Sequence, residues 1–256
     1  MSFDQWVTYF RRNRGRQERI EAGVDWDASC SMTENERAAL VRSFQRFELG
    51  ESGEGHELLR KAARAGDPEY LEALKGLVVE EQRHSALFGR GLRHMGASSL
   101  PAHWSDGAFT ALRHALGLRT EIGLFLVAET VALGYFRGLA EHGPDEVIRG
   151  IGERIVTDEV EHVRFQIDRL RLGFAGSTSI ARFAARGALS VVAAGAATVL
   201  VVDHRAALRA VGFSLYGYWS DGLRTFARAA SAAFGKESRM LGPSLPADSV
   251  LQAPSR

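Results

Sequence analysis

One cysteine, Cys30, stands in the whole chain. Its isolation excludes an internal disulfide, a zinc ribbon and a rubredoxin-type iron centre. It also fits a reducing compartment, so a cytoplasmic location is expected. Proline is scarce, six in 256 residues, which leaves long helices largely uninterrupted. No excess of one charge exists either. Lys and Arg number 32 against 31 Asp and Glu, too even to draw nucleic acid or an acidic membrane to the molecule as a whole. The local excess "FRRNRGRQER" at 10–19 carries five arginines and reads as a solvated helix face. The first 30 residues lack a long apolar stretch, so no secretory signal is expected.

A run of membrane-spanning length is also missing. The apolar segment 187–202, "GALSVVAAGAATVLVV", has 16 residues with Ser190 and Thr198 its only polar members; a span needs roughly 20. Arg182, Arg186, Asp203, His204 and Arg205 hem it in, and seven of the 16 are Ala or Gly. A buried or oligomer-facing helix is expected, with membrane-surface association and a true span as lesser alternatives.

What is present is helical periodicity. The composition, 45% hydrophobic and 25% charged, is that of a globular protein, and apolar residues recur at three and four, so the expected fold class is all-α. A first helix fits 2–21. "TENE" at 33–36 is a capping box that opens a long helix running to "AGDP", where Gly66 takes the left-handed cap and Asp67-Pro68 start the next helix. That helix ends near Gly96. "ASSLPAHWSD" reads as a crossover loop, a third helix covers 107–142, and after "HGPDE" a fourth runs to about 173. Two additional C-terminal helices fit 178–212 and 214–235, and the tail has the composition of disorder. The division expected is a helix and loop at 1–32, a four-helix unit at 33–174, an extension at 175–236 packing on the bundle or a partner, and a tail at 237–256.

The chain repeats itself. "FELGE" ends at Glu51 and "FLVAE" at Glu129; "EEQRH" supplies Glu81 and His84, "DEVEH" supplies Glu159 and His162. Glu51 to Glu81 and Glu129 to Glu159 are both 30 residues. A tight antiparallel hairpin with arms of roughly 22 Å and 21 Å returns the second acid to the height of the first. Glu and His at i and i+3 share a helix face. Four helices thus offer four carboxylates and two imidazoles at one level. Buried together, the carboxylates repel one another and lose hydration; two divalent cations balance them. Oxygen-rich ligation with one nitrogen per metal favours iron or manganese. Glu48 and Glu54 lie one turn either side of Glu51, and the repeat favours Glu51. Glu80 and Asp158, just before the ligand acids, are candidates to orient an imidazole, or solvent-facing acids. Tyr135 is read as a core tyrosine satisfied elsewhere, and the remaining histidines as surface or core residues.

Over residues 33–173 this pattern resembles the ferritin-like di-iron carboxylate superfamily, whose bundles place one Glu on each of two helices and Glu-x2-His on the other two. The resemblance implies a ferritin-like four-helix bundle with metal ligands, and catalytic residues, Glu51, Glu81, His84, Glu129, Glu159 and His162. Glu81 and Glu129 or Glu159 would bridge. It implies two Fe ions, with Mn/Fe or Mn/Mn as alternatives. One cysteine cannot supply a rubrerythrin-type iron domain, and Phe88 stands where the ribonucleotide reductase small subunit usually has its radical tyrosine. The implied function is a di-iron oxidase or oxygenase acting on O2 and a small organic substrate, with electrons from a separate reductase. Alternatives are a ferroxidase or iron-handling protein, and a metal-free helical assembly module. The surplus apolar helix points to a homodimer.

Overall fold

The computed structural model describes residues 2–53, 55–103, 107, 117–236 and 239–244, and it is all-helical, with no strand among the described residues. Helix α1 (Asp4–Ala22) buries Trp6, Phe10, Asn13 and Gln17 along one face and leaves Arg11, Arg12, Arg14 and Arg19 exposed. Helix α2 (Glu34–Glu51) opens on the capping box, with Thr33 and Glu36 bonding each other's backbone.

The single helix expected from 33 to 66 is broken. α2 stops at Glu51, and α3 (His56–Arg64) begins after Gly55 at φ 65°. Gly50, Gly53 and Gly55 withdraw helix propensity within six residues, and Gly55 adopts a left-handed conformation that a side chain would resist. Helix α4 (Pro68–His94) follows Gly66 at φ 74°, with the Asp67 side chain accepting from Tyr70 N. The third helix expected from 107 instead restarts as α5 (Leu118–His142) after an extended Gly117; residues 104–106 and 108–116 lie outside the described residues. Asp145 caps α6 (Glu146–Gly173). Beyond it come α7 (Ser179–Asp203), α8 (Arg205–Ala210) and α9 (Leu215–Phe234), so the helix expected over 178–212 bends at His204.

Helix α2 runs antiparallel to α4: Phe44 lies against Gly91, and Ser85 Oγ donates to Glu48 O at 2.8 Å. Helix α5 runs antiparallel to α6. Gly152 is required there, because a Cβ would sit 2.4 Å from Ala140 N, so the two backbones touch. Helices α4 and α6 face each other across the middle, α1 lies over both, and α9 covers α5 and α6. The apolar core divides in two. One part gathers Trp6, Phe10, Tyr70, Leu77, Val127 and Phe165; the other gathers Phe44, Phe88, Ala132, Tyr135, Phe136 and Ile155. Along α4, α5 and α6, the repeated acids and imidazoles fall between the positions that feed these two cores.

Of the two readings of the apolar helix, buried or partner-facing, burial within the chain is not what is found: only 17% of its most hydrophobic window is covered. The start of the tail lies against α6. Leu241 N and Gly242 N donate to Asp168 at 2.6 and 2.9 Å, and Ser244 N donates to Glu161 at 3.1 Å. Backbone donors satisfied by two buried carboxylates hold that segment despite its composition. Residues 245–256 lie outside the described residues.

Candidate metal centre

Glu81 and His84 project from α4, and Glu159 and His162 from α6; ligand atoms of all four lie within 4.8 Å of one another. Both imidazoles and Glu159 are fully buried, and Glu81 is nearly so. The i, i+3 spacing places each pair on one face, and the antiparallel crossing aims the two faces together.

Each imidazole is anchored by the opposite helix. His84 Nε2 lies 3.0 Å from Asp158 Oδ2, and His162 Nε2 lies 2.9 Å from Glu80 Oε2. The acid preceding each repeated Glu therefore holds the other half's histidine, which makes Glu80 and Asp158 orienting groups, not solvent-facing ones. Above them α1 contributes Asn13, whose Nδ2 reaches Glu80 at 2.6 Å and Asp158 at 2.9 Å. It also contributes Gln17, whose Nε2 reaches the same two at 2.8 and 3.1 Å. Arg154, itself buried, bonds Asp158, and Arg16 approaches it at 3.4 Å.

With Nε2 held by a carboxylate, each ring turns Nδ1 inward. His162 Nδ1 is 2.9 Å from Glu81 Oε1 and 3.7 Å from Glu159 Oε1; His84 Nδ1 is 3.2 Å from Glu159 Oε1. Of these inner atoms, His84 Nδ1, His162 Nδ1 and Glu81 Oε1 lack a well-directed hydrogen bond despite the short distances. The buried atoms left unsatisfied include Nδ1 of both histidines and one oxygen each of Glu81, Glu129 and Glu159. In neutral imidazole such a nitrogen is a lone pair facing a carboxylate oxygen, two acceptors in contact. Something positive must lie between them.

Glu129 on α5 belongs to the same group: burial, then the charge of Glu159, raises its pKa well above the usual carboxylate range. Gln166, one turn after His162, donates to its other oxygen. Glu51, half-buried at the last turn of α2, is likewise raised by burial and by the charge of Glu81, with which it hydrogen-bonds. Of the competing acids, Glu48 points elsewhere, accepting from Ser99 Oγ at 2.8 Å; Glu54 lies outside the described residues. Of the six residues singled out in the sequence, Glu81, His84, Glu159 and His162 form one cluster, and Glu51 and Glu129 interact electrostatically with its members.

Burial and the neighbouring charges shift the titration of these groups. Burial opposes charge on His84, yet hydrogen bonds to Asp158 and Glu159 raise its pKa to about 9. His162 is pushed up against the same burial by Glu159, Glu80 and Glu81. Burial also opposes ionisation of Glu81, but hydrogen bonds with Glu51 and His162 and the imidazolium charges bring it to about 2. Asp158 is held well below its ordinary value, in spite of burial, by His84 and the Arg154 guanidinium.

Sequence reasoning missed Asn13, Gln17, Arg154 and Gln166. The signal for the first two was available: Trp6, Phe10, Asn13 and Gln17 follow helical spacing, so the two amides continue an apolar face. Tyr135 is satisfied away from the cluster, 2.8 Å from Ser43 Oγ, which also meets His204 Nδ1 at 2.8 Å. A second grouping of Cys30, His94 and Asp145 is accounted for without a metal, since Asp145 accepts from Ser31, Val147 and His94. The buried Glu81, His84, Glu159 and His162 cluster is compatible with a dimetal carboxylate site. Comparison of the chain with known proteins gives no matching family model and no matching curated sequence.

Proposed function

We propose that α2, α4, α5 and α6 form a ferritin-like bundle in which Glu51, Glu81, His84, Glu129, Glu159 and His162 hold two iron ions. The chain then acts as a di-iron oxidase or oxygenase on a small organic substrate. The observation that carries this reading is the buried cluster itself. Two imidazole nitrogens converge with the carboxylates of Glu81 and Glu159 without well-directed hydrogen bonds, while the opposite edge of each ring is fixed by Glu80 or Asp158. That is the arrangement in which a carboxylate orients a histidine for a metal. Four carboxylates require about four positive charges, which two divalent ions supply, and the oxygen-rich donor set with one nitrogen per ion suits iron or manganese.

When bound, the metal pair supplies the redox chemistry with O2, and further electrons come from a separate reductase. The protein's residues do the rest. Glu80, Asp158, Asn13 and Gln17 keep both rings in the tautomer that presents Nδ1. Gln166 fixes one oxygen of Glu129 and leaves the other free to bind. Phe10, with its ring 6.3 Å from that of His162, and Phe165 wall the site with apolar surface that excludes water. Metal binding displaces the protons on Glu51, Glu129 and the imidazoles, so it is proton-coupled.

The test is anaerobic Fe(II) titration followed by an oxygen electrode. Two iron ions per chain, with O2 uptake that depends on a chemical reductant and rises with small organic substrates, support the oxygenase. Continued Fe(II) consumption beyond two per chain favours the ferroxidase. A chain that binds no iron leaves the metal-free assembly module.

A further inference from the structure

Where α7 gives way to α8, the chain builds a cleft that the metal ligands do not use. The bend there turns His204 inward, 9% exposed, with its ring 4.8 Å from that of Phe47 on α2. Together with its neighbours Asp203 and Arg205 and with Arg42 and Arg46 of α2, it lines a cleft of about 360 Å³. The imidazole is held by one edge only. Tyr135 is fully buried and, among the described residues, its hydroxyl meets only Ser43 Oγ, 2.8 Å away. The tyrosine proton therefore goes to Ser43, and the serine proton goes to His204 Nδ1, also 2.8 Å away. Burial, then the charge of Arg46, holds the imidazole pKa down to about 3. The ring is neutral, and its single N–H is on Nε2. That atom makes no hydrogen bond among the described residues and is not enclosed by protein; it opens on the cleft.

The cleft also gathers cationic donors. Arg46 is half-buried and pinned: its Nη1 bonds Asp203 O, and its Nε lies 3.4 Å from His103 Nε2. Its Nη2 is left over. Arg42 and Arg205 form no hydrogen bond or ion pair among the described residues. The Asp203 carboxylate shares the cleft, so three guanidinium groups against one carboxylate leave two positive charges. Packing alone does not call for this arrangement. A leucine at 204 would fill the space beside Phe47 without the cost of burying a polar ring. We propose that this cleft binds a phosphate monoester of small-molecule size, with Arg42, Arg46 and Arg205 holding the phosphate oxygens and His204 Nε2 donating a hydrogen bond to one of them. Guanidinium forks match phosphate oxygens in geometry, and the dianion balances the two surplus charges. The volume leaves room beyond the phosphate for an organic body. A soluble ester and a phosphatidic acid headgroup offer the same phosphate chemistry.

Isothermal titration calorimetry of the full chain at fixed ionic strength tests this, with inorganic phosphate and glycerol phosphate as probes. One phosphate per chain is expected to bind, and chloride at the same ionic strength to give no heat. Arg42→Gln and Arg205→Gln, both at exposed positions, are expected to keep the helical circular dichroism. Each should weaken phosphate binding about tenfold, as loss of one charge-assisted hydrogen bond does. Asp203→Asn removes the opposing carboxylate and is expected to tighten binding, a gain that damage to the fold cannot produce. Arg12→Gln, exposed on α1, should leave affinity unchanged. Vesicles of phosphatidylcholine with phosphatidic acid separate the two sources. Capture that glycerol phosphate competes away assigns the headgroup; glycerol phosphate binding without capture assigns a soluble ester. A wild type that binds no phosphate at millimolar concentration, an affinity indifferent to the combined Arg42→Gln and Arg205→Gln substitutions, or one weakened by Asp203→Asn would each overturn the proposal.

Discussion

The two halves of the internal repeat supply the same residues to the centre but brace them differently. In the second half, Glu129 sits within the continuous helix α5 and is held by Gln166. Asp158 is supported by Arg154, Arg16, Asn13 and Gln17. In the first half, Glu51 is the last residue of α2, beside a glycine-rich break, and Glu80 is held by Asn13 and Gln17, with no arginine bonded to it among the described residues. The ligand pattern is symmetric and its scaffolding is not. The second half holds its acid inside a continuous helix, and the first half holds its acid at a helix end.

The sharpest way to break that asymmetry is at Asp158. Asp158→Asn takes from buried Arg154 its closer anionic partner and leaves it only Glu21, 3.2 Å away; losing one member of a buried pair costs about 3–5 kcal/mol, and with Glu21 remaining the lower end, about 3 kcal/mol, is expected by chemical denaturation of the metal-free protein. Glu80→Gln keeps a hydrogen bond to His162 and leaves that imidazole its contacts with Glu81 and Glu159, so it should cost only about 1–2 kcal/mol. Both should weaken metal binding on the order of 10–100-fold, so affinity falls similarly while stability separates. Equal stability losses would show that the two halves are braced alike.

Glu159→Ala is expected to reduce iron to one ion per chain or fewer by atomic absorption after anaerobic loading, because Glu159 faces both imidazoles. Glu51→Ala, at the end of α2, should lose less, retaining one ion. Full iron content in the Glu159 variant would remove it from the ligand set.

Stability against pH provides a test of sign. The pKa of His84 is raised to about 9 by its carboxylates. The stability it contributes is fully present below its unfolded value near 6.5 and is lost as pH rises through about 9. The raised carboxyls of Glu51 and Glu129 act in the same direction, opposing ionisation as pH climbs above 4.5. The melting temperature of the metal-free protein should therefore fall between pH 6 and 9.5, and divalent metal should abolish the fall. A melting temperature that rises over that range would contradict the arrangement of protons described here.

The smallest effect concerns the break itself. Gly55→Ala forces a side chain into a left-handed backbone position and against Val78, 2.8 Å away. It should cost about 1 kcal/mol by thermal melting and leave iron content unchanged.

Much of this molecule was written in local signals. The capping box at Thr33, the turn at Gly66-Asp67-Pro68 and the paired Glu-x2-His motifs are short-range patterns, and local chemistry suffices to read them. The break between α2 and α3 was not read, although Gly50, Gly53 and Gly55 announce it and no apolar side chain stands between Leu49 and Leu58. The roles of Glu80 and Asp158 stayed open in the sequence, since an acid on a helix acquires its partner only when another helix arrives. Asn13, Gln17 and Arg154 were hidden for the same reason: α1 looks like a solvated basic helix until it is laid over α4 and α6. The exposure of α7 could not be read either, as an apolar sequence does not say whether its own chain or another covers it.

The central claim is tested most directly by diffraction from crystals grown anaerobically with Fe(II), using anomalous scattering at the iron edge. The account predicts two peaks between α4 and α6, bounded by His84 Nδ1, His162 Nδ1 and the carboxylates of Glu51, Glu81, Glu129 and Glu159. No peak there, or the two imidazoles turned away from one another with Nδ1 bonded to protein, would contradict it.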